Sequence, residues 1–251
     1  MPQRPLKLLA VVQKELGTYF RSLLAYVVIA VFLVLSGYFF YTNLSFFILM
    51  GGFDLARGLW QYQFHDMRLV LLLIAPLLTM RLFAEEKKQG TLELLWTYPV
   101  SDVAILGGKY LAALVVLSTM LLLTFTYPLA VSLFYPIDLG PIAAGYLGLW
   151  LLGASFLACG IFVSSLTDSQ LVAGVVTFGM LLFFWILTWN QAAVAESALG
   201  YLTSVSLFDR FFLFARGAVD SKDVVFFALF VAVFLFATLL VLESRRWRGI
   251  R

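Results

Sequence analysis

The residues that could carry chemistry in this chain are few, and each lacks the partners its chemistry requires. The lone histidine, His65, stands beside Asp66 in QFHDM, and the lone cysteine, Cys159, lies far away in an apolar run. A His-Asp pair can relay a proton or start a metal site, but a metal needs further His or Cys donors, and none is near. The pair reads as polar residues at a membrane boundary, and Cys159 as a small buried thiol that forms no internal disulfide. The stretch LGGKY at 106–110 resembles a phosphate loop in part. That loop needs an earlier glycine where Val103 stands and a Ser or Thr where Tyr110 stands. No HExxH, GxSxG or paired carboxylate within an apolar run occurs, so protease, esterase and proton-coupled mechanisms lack their residues. The expectation is a chain with no catalytic residue, no metal and no ATP site of its own.

What remains is a concentration of charge. Seven charged residues (Glu85, Glu86, Lys87, Lys88, Glu93, Asp102 and Lys109) fall within twenty-five positions, where the overall 12% would place about three. Gly90 breaks the preceding helix, Thr91 is an N-cap residue for a new one, and Pro99 ends that second element. Between them Leu92, Leu95 and Trp96 fall at i, i+3 and i+4, with Glu93 pointing elsewhere. A helix this short is marginal alone. It reads as a docking helix ordered by a soluble partner, the alternative being a connecting turn lying on the membrane.

The elements that must position this stretch are written in the composition. With 63% hydrophobic residues, 17% aromatic and a mean hydropathy of +0.98, the chain departs far from soluble domains, which carry about 45–50% apolar residues. It is expected to be an all-α integral membrane protein. A net charge of +3, dispersed along 251 residues, does not suggest nucleic acid as a partner. The charge-free windows 22–53, 110–137, 139–167, 169–195 and 224–242 are each long enough to cross a bilayer. Tight turns at Asp138 and Asp168 join three of them. Only twelve charge-free residues lie between Arg68 and Arg81, which leaves either a re-entrant segment or a full span with both arginines snorkelling to the interfaces. A full span places twelve basic residues inside and five outside, as the positive-inside rule requires. The expected layout is six spans with both termini cytoplasmic.

Residues 6–21 put Leu9, Val12, Leu16, Tyr19 and Phe20 at helical spacing, with Lys7, Lys14 and Arg21 on another face. This describes an N-terminal amphipathic helix lying in the cytoplasmic interface against membrane lipid. Nothing in the scattered charges of this stretch suggests a cleaved leader. The chain then divides, within a single transmembrane domain, into 1–21 as interfacial helix, 22–84 as spans one and two, and 85–102 as the short-helix loop. After these come 103–195 with spans three to five, 196–223 an external interfacial segment, 224–242 span six, and 243–251 a basic cytoplasmic tail. Pro76 and Pro128 are expected to kink their helices, and the pairs Ala154/Ala158 and Ser155/Cys159 to permit close packing.

The stretch MRLFAEEKKQGTLELLWTYPVSDVAILGGKYLAAL resembles the loop between the second and third spans of ABC-2 type permeases. The resemblance extends to their gliding-motility-type branch, which is similar to the permease of nitrous-oxide-reductase maturation. Glu85-Glu86, the run from Gly90 to Leu95, Pro99 and Gly108-Lys109 carry it, with FARGAVDSKDVVFF at 214–227 and LESRRW at 242–247. The resemblance implies the permease subunit of an ATP-binding cassette exporter, in the inner or plasma membrane of a bacterium or archaeon. Its implied partners are an ABC ATPase carrying ATP and magnesium, a second copy or homologous permease, and an auxiliary membrane or periplasmic protein. It further implies coupling to the ATPase through Glu85, Glu86, Gly90, Thr91, Leu92, Glu93, Leu95 and Trp96, and an external segment marked by Phe208, Arg216, Gly217 and Asp220. Two rivals use the same sequence: a membrane scaffold for a cytoplasmic ATPase, and a self-sufficient channel or secondary transporter, which would want ionisable sites at the midplane.

Overall fold

A computed structural model describes residues 4–49, 51, 58–91, 101–189 and 206–248, and among these residues there is no strand. They form ten helices, of which α1 (Arg4–Arg21), α2 (Leu23–Leu49), α3 (Gly58–Thr79), α4 (Ala84–Lys88) and α5 (Asp102–Thr124) make the first half. The second half has α6 (Thr126–Ser132), α7 (Leu139–Leu166), α8 (Gln170–Trp189), α9 (Leu207–Ala215) and α10 (Ser221–Arg248). Among the described residues, five stretches are long and apolar enough to cross a membrane: Leu23–Leu49, Gly58–Lys88, Asp102–Ser132, Leu139–Leu166 and Ser221–Ser244. The helix at α8 is apolar but shorter over its described side chains, Gln170–Ile186.

Helix α7 is the axis of the bundle. It is so rich in small residues that its neighbours close directly onto its backbone. A Cβ on Gly145 would stand 2.0 Å from Phe64, one on Gly148 2.4 Å from Phe214, and one on Gly160 2.0 Å from the Thr79 hydroxyl. The glycines, more than the Ala154/Ala158 and Ser155/Cys159 pairs, therefore set how near α3 and α9 approach, although those four residues are also buried. The outer helices show the opposite pattern. On α10, Val225, Leu229, Val233, Phe236 and Leu240 form an exposed stripe at helical spacing, a surface that only lipid or another apolar face would cover.

The expected turns at Asp138 and Asp168 are present, and Asp138 caps α7 by accepting from the Gly140 amide at 3.0 Å. One other expectation changes. Helix α3 begins ten positions before Arg68, so this arginine is not at a helix end, and it is buried. It lies instead over the Phe208 ring of α9, 5.4 Å from the centroid, with Nη2 2.8 Å from His65 Nε2. The boundary pair His65-Asp66 is likewise spent on neighbours, Asp66 accepting from Asn43 at 2.8 Å. Helix α9, in the expected external interfacial segment, is two-faced, with Phe212 and Leu213 exposed. Leu207, Phe208, Phe211 and Phe214 are buried in the end of the bundle, and the helix closes that end like a stopper.

Candidate functional site

The charge-rich stretch begins where α3 stops. Pro76 sits in the last turn of α3, and the chain leaves the helix at Met80 before resuming it as α4. A break in a helix frees backbone groups that must find partners when buried. Ser164 of α7 supplies them: its hydroxyl accepts from the Phe83 and Ala84 amides, both at 3.1 Å, and donates to the Met80 carbonyl at 3.2 Å. Helix α4 is thereby held against the end of α7. Lys87 adds a second hold, donating to the Ser165 carbonyl and lying 4.0 Å from Asp168.

Beside α4, α1 meets α5. Gly108 is the reason it can, because a Cβ there would stand 2.5 Å from Val11. One turn further along α1, Glu15 reaches Lys109, Oε1 to Nζ, at 3.0 Å. Lys109 also lies 2.9 Å from Glu86 Oε1 and 5.3 Å from the centre of the Phe83 ring. Its side chain is 1% exposed. The outer cation of the group is Lys14, which donates to Glu86 at 3.3 Å. Three helices distant in sequence thus share one buried ammonium. Such an arrangement survives only when each charge is compensated, since removing an ion from water costs several kcal/mol.

Further along α1, Tyr19 donates to the Leu78 carbonyl at 2.8 Å, spanning the break from the other side. Burial, reinforced by Glu15 and opposed by Arg81, pushes its phenol far above the ordinary tyrosine range. The contact is therefore intact below the folded-state value and is lost only as pH rises through it, beyond any cellular pH. Arg81 completes the corner, with Nε on Glu85 Oε2 at 2.8 Å and Nη1 on Ser22 Oγ at 2.9 Å.

The expected coupling residues divide. Glu85 and Glu86 belong to this corner and are engaged within the chain. Gly90 has φ +69, the left-handed value that ends α4 and turns the chain away, and its amide donates to the Lys87 carbonyl at 3.0 Å. Thr91 donates its hydroxyl to the Glu86 carbonyl at 3.2 Å, tying the turn back to α4. Leu92, Glu93, Leu95 and Trp96 lie outside the described residues. At the opposite end, Phe208 is buried beneath Arg68, Arg216 covers the Phe212 ring at 4.2 Å, and Gly217 (φ +86) passes so near Pro141 that a Cβ would stand 2.7 Å from it. Asp220 accepts from the Lys222 amide at 2.9 Å at the start of α10.

Sequence reasoning passed over Glu15, the residue that gives Lys109 its partner. The signal was available: Glu15 falls on the stripe of Leu8, Val11, Val12, Leu16 and Tyr19 that turns toward protein, a costly place for a carboxylate without a cation.

A bundle of apolar helices with a charged, polar corner at one end is the architecture of an integral membrane protein. The chain belongs to the ABC-2 family of transporter proteins, whose family model matches residues 9–212. It is accordingly a permease subunit of an ABC transporter, a family in which the ATPase resides in a partner chain. No curated protein matches the chain.

Proposed function

We propose that this permease belongs to an exporter and that the segment after Gly90 is the plug by which a separate ATPase moves it. The observation that carries the reading is the lock around Lys109. It fixes α1, α4 and α5 to one another, so a push on the chain leaving Gly90 passes into three helices at once. Leu92, Leu95 and Trp96 form the apolar face of that plug, and the ATPase brings the ATP and magnesium. Six spans put both termini and the plug in the cytoplasm, and two such subunits, identical or homologous, enclose the pathway. The gliding-motility-type branch is the subgroup the motifs favour, with an inner or plasma membrane as the site of action.

The test is Leu95→Asp combined with Trp96→Ala. Truncating an interface anchor costs about 2 kcal/mol or more, roughly thirty-fold in affinity. The double variant should insert and dimerise like wild type, yet lose the ATPase on co-purification and lose transport-linked hydrolysis in liposomes. Retention of a fully coupled ATPase would make the segment a turn on the membrane surface.

A further inference from the structure

Arg68 of α3 is buried against α9, and the side chain that accepts from it is open to the surroundings. The guanidinium lies 5.4 Å from the centre of the Phe208 ring, and Nη2 stands 2.8 Å from His65 Nε2. Its Nε is shielded and finds no acceptor among the described residues. A guanidinium only donates, so His65 Nε2 is the acceptor and the imidazole is neutral, with its proton on Nδ1. His65 itself is exposed.

Water reaches this level of the bundle. Ser164 holds the charged helix α4, which cannot lie in hydrocarbon, so the apolar layer ends near it. Phe64 packs on Gly145, nineteen residues before Ser164 on α7. At about 1.5 Å per residue that is about 29 Å, the thickness of the hydrocarbon. His65, next to Phe64, is at the opposite water boundary, where protons reach it. Two carboxylates share the neighbourhood: Asp66 on α3, which accepts from Asn43, and Asp209 in the first turn of α9, which faces Arg68. Helices α2, α7 and α8 bring no charged side chain.

A proton on Nε2 removes the acceptor and sets two cations against each other. We propose that His65 is an acid-released latch on α9. While neutral it holds Arg68 against Phe208; once protonated it drives the guanidinium away and loosens α9 from α3. Arg210, paired with Asp223 at 2.6 Å, keeps α9 attached to α10, so the helix is freed on one side. A histidine released from the contact takes its ordinary value of about 6.5, and at pH 5.5 its protonated form outnumbers the neutral one about tenfold. The hold is complete above that value and is lost as pH falls through it, with opening favoured at pH 5.5 by at most about tenfold over pH 7.5. Asp66 and Asp209 offset part of the repulsion, which keeps the effect below that limit. The latch does not depend on where the ATPase docks.

The experiment is hydrogen-exchange mass spectrometry of the full chain in mild detergent at the two pH values, read as protection after correction for the intrinsic chemical rate. On acidification of wild type, residues 207–215 should lose protection severalfold, up to about tenfold, while 84–88 in the charged corner keep theirs. Equal protection of α9 at both pH values overturns the proposal without any variant, and so does a loss shared with 84–88, which is general acid unfolding. His65→Gln keeps an acceptor for Arg68 and does not titrate, so its α9 should be as protected at pH 5.5 as at pH 7.5. Acid sensitivity persisting there places the switch in another group. His65→Lys carries the charge permanently and should show the acid level at both pH values. Wild-type protection of α9 in His65→Lys at pH 7.5 would show that a cation at this position does not move the helix.

Discussion

Lys109 shows how a single buried charge can organise a corner of a membrane protein. Its ammonium faces two carboxylates and an aromatic ring. Taking away the cation leaves Glu15 and Glu86 with like charges and only the exposed Lys14, at 3.7 and 3.3 Å, to offset them. Breaking a buried ion pair from one side costs about 3–5 kcal/mol. Lys109→Met should therefore lower the thermal midpoint in detergent by about 6 °C or more, monitored by tryptophan fluorescence. Adding Glu15→Leu should restore part of the loss, because one stranded carboxylate goes with it. A midpoint for Lys109→Met within about 1 °C of wild type would mean that water screens the group far better than its burial implies. None of this was visible from the charge count alone. Lys109 reads in sequence as one of seven charges in the loop and half of the Gly108-Lys109 motif, with nothing to point it at Glu15. The pairing joins residues whose separation in sequence exceeds any local pattern.

At the scale of elements, the helices were legible and their contacts were not. Membrane helices must be apolar over most of their length, so charge-free windows locate α2 and α7 to within about a turn, whereas α5 starts at Asp102, two turns before its window, and breaks off at Thr124 where α6 takes over. The break between α3 and α4 is different, because its cause is Ser164, a residue of another helix. Ser164→Ala should strand two amides and a carbonyl, each worth about 1–3 kcal/mol when buried unpaired. The expected result is faster amide exchange confined to residues 80–88. Exchange unchanged in that segment would show that the break is held by other contacts. The glycines of α7 make the same point through shape. Gly160 is indistinguishable from Gly179 in sequence, yet a Cβ at 160 meets Thr79 at 2.0 Å and one at 179 meets nothing within 4 Å. Gly160→Ala should cost about 1–3 kcal/mol through overpacking. Gly179→Ala should be neutral or stabilise by up to about 1 kcal/mol, the helix preference of alanine over glycine. Thermal midpoints of the two variants in one detergent check both, and equal shifts would refute the packing account.

The whole molecule has two unlike ends, and the connections between them bear on the number of crossings. One end holds α1, α4 and the start of α5, joined through Lys109, with the end of α7 held against α4 by Ser164 and Lys87. The other holds α9 and the start of α10, joined by Arg210 and Asp223 at 2.6 Å, with Phe208 against Arg68 of α3. Helix α8 starts beside α4, where Lys88, Asp168 and Gln170 line a common hollow. By Phe184 it has reached the Phe230 ring of α10, 5.6 Å away between centroids. A chain that enters α8 at the α4 end and begins α10 at the α9 end has to traverse the bundle between them. At about 1.5 Å per residue a helix of this length spans about 30 Å, the thickness of the hydrocarbon. The expectation is therefore six crossings, with the α4 end facing the ATP-containing compartment, the only side on which an ATPase can work. Single-cysteine labelling in a Cys159→Ala background tests this with two exposed positions, Gln89 beyond α4 and Val219 between α9 and α10. In intact cells a membrane-impermeant maleimide should label Val219→Cys and leave Gln89→Cys untouched until the cells are opened. Labelling at 89 from outside would turn the molecule over, put the charged corner out of reach of any cytoplasmic ATPase, and remove the physical basis for coupling through the segment after Gly90.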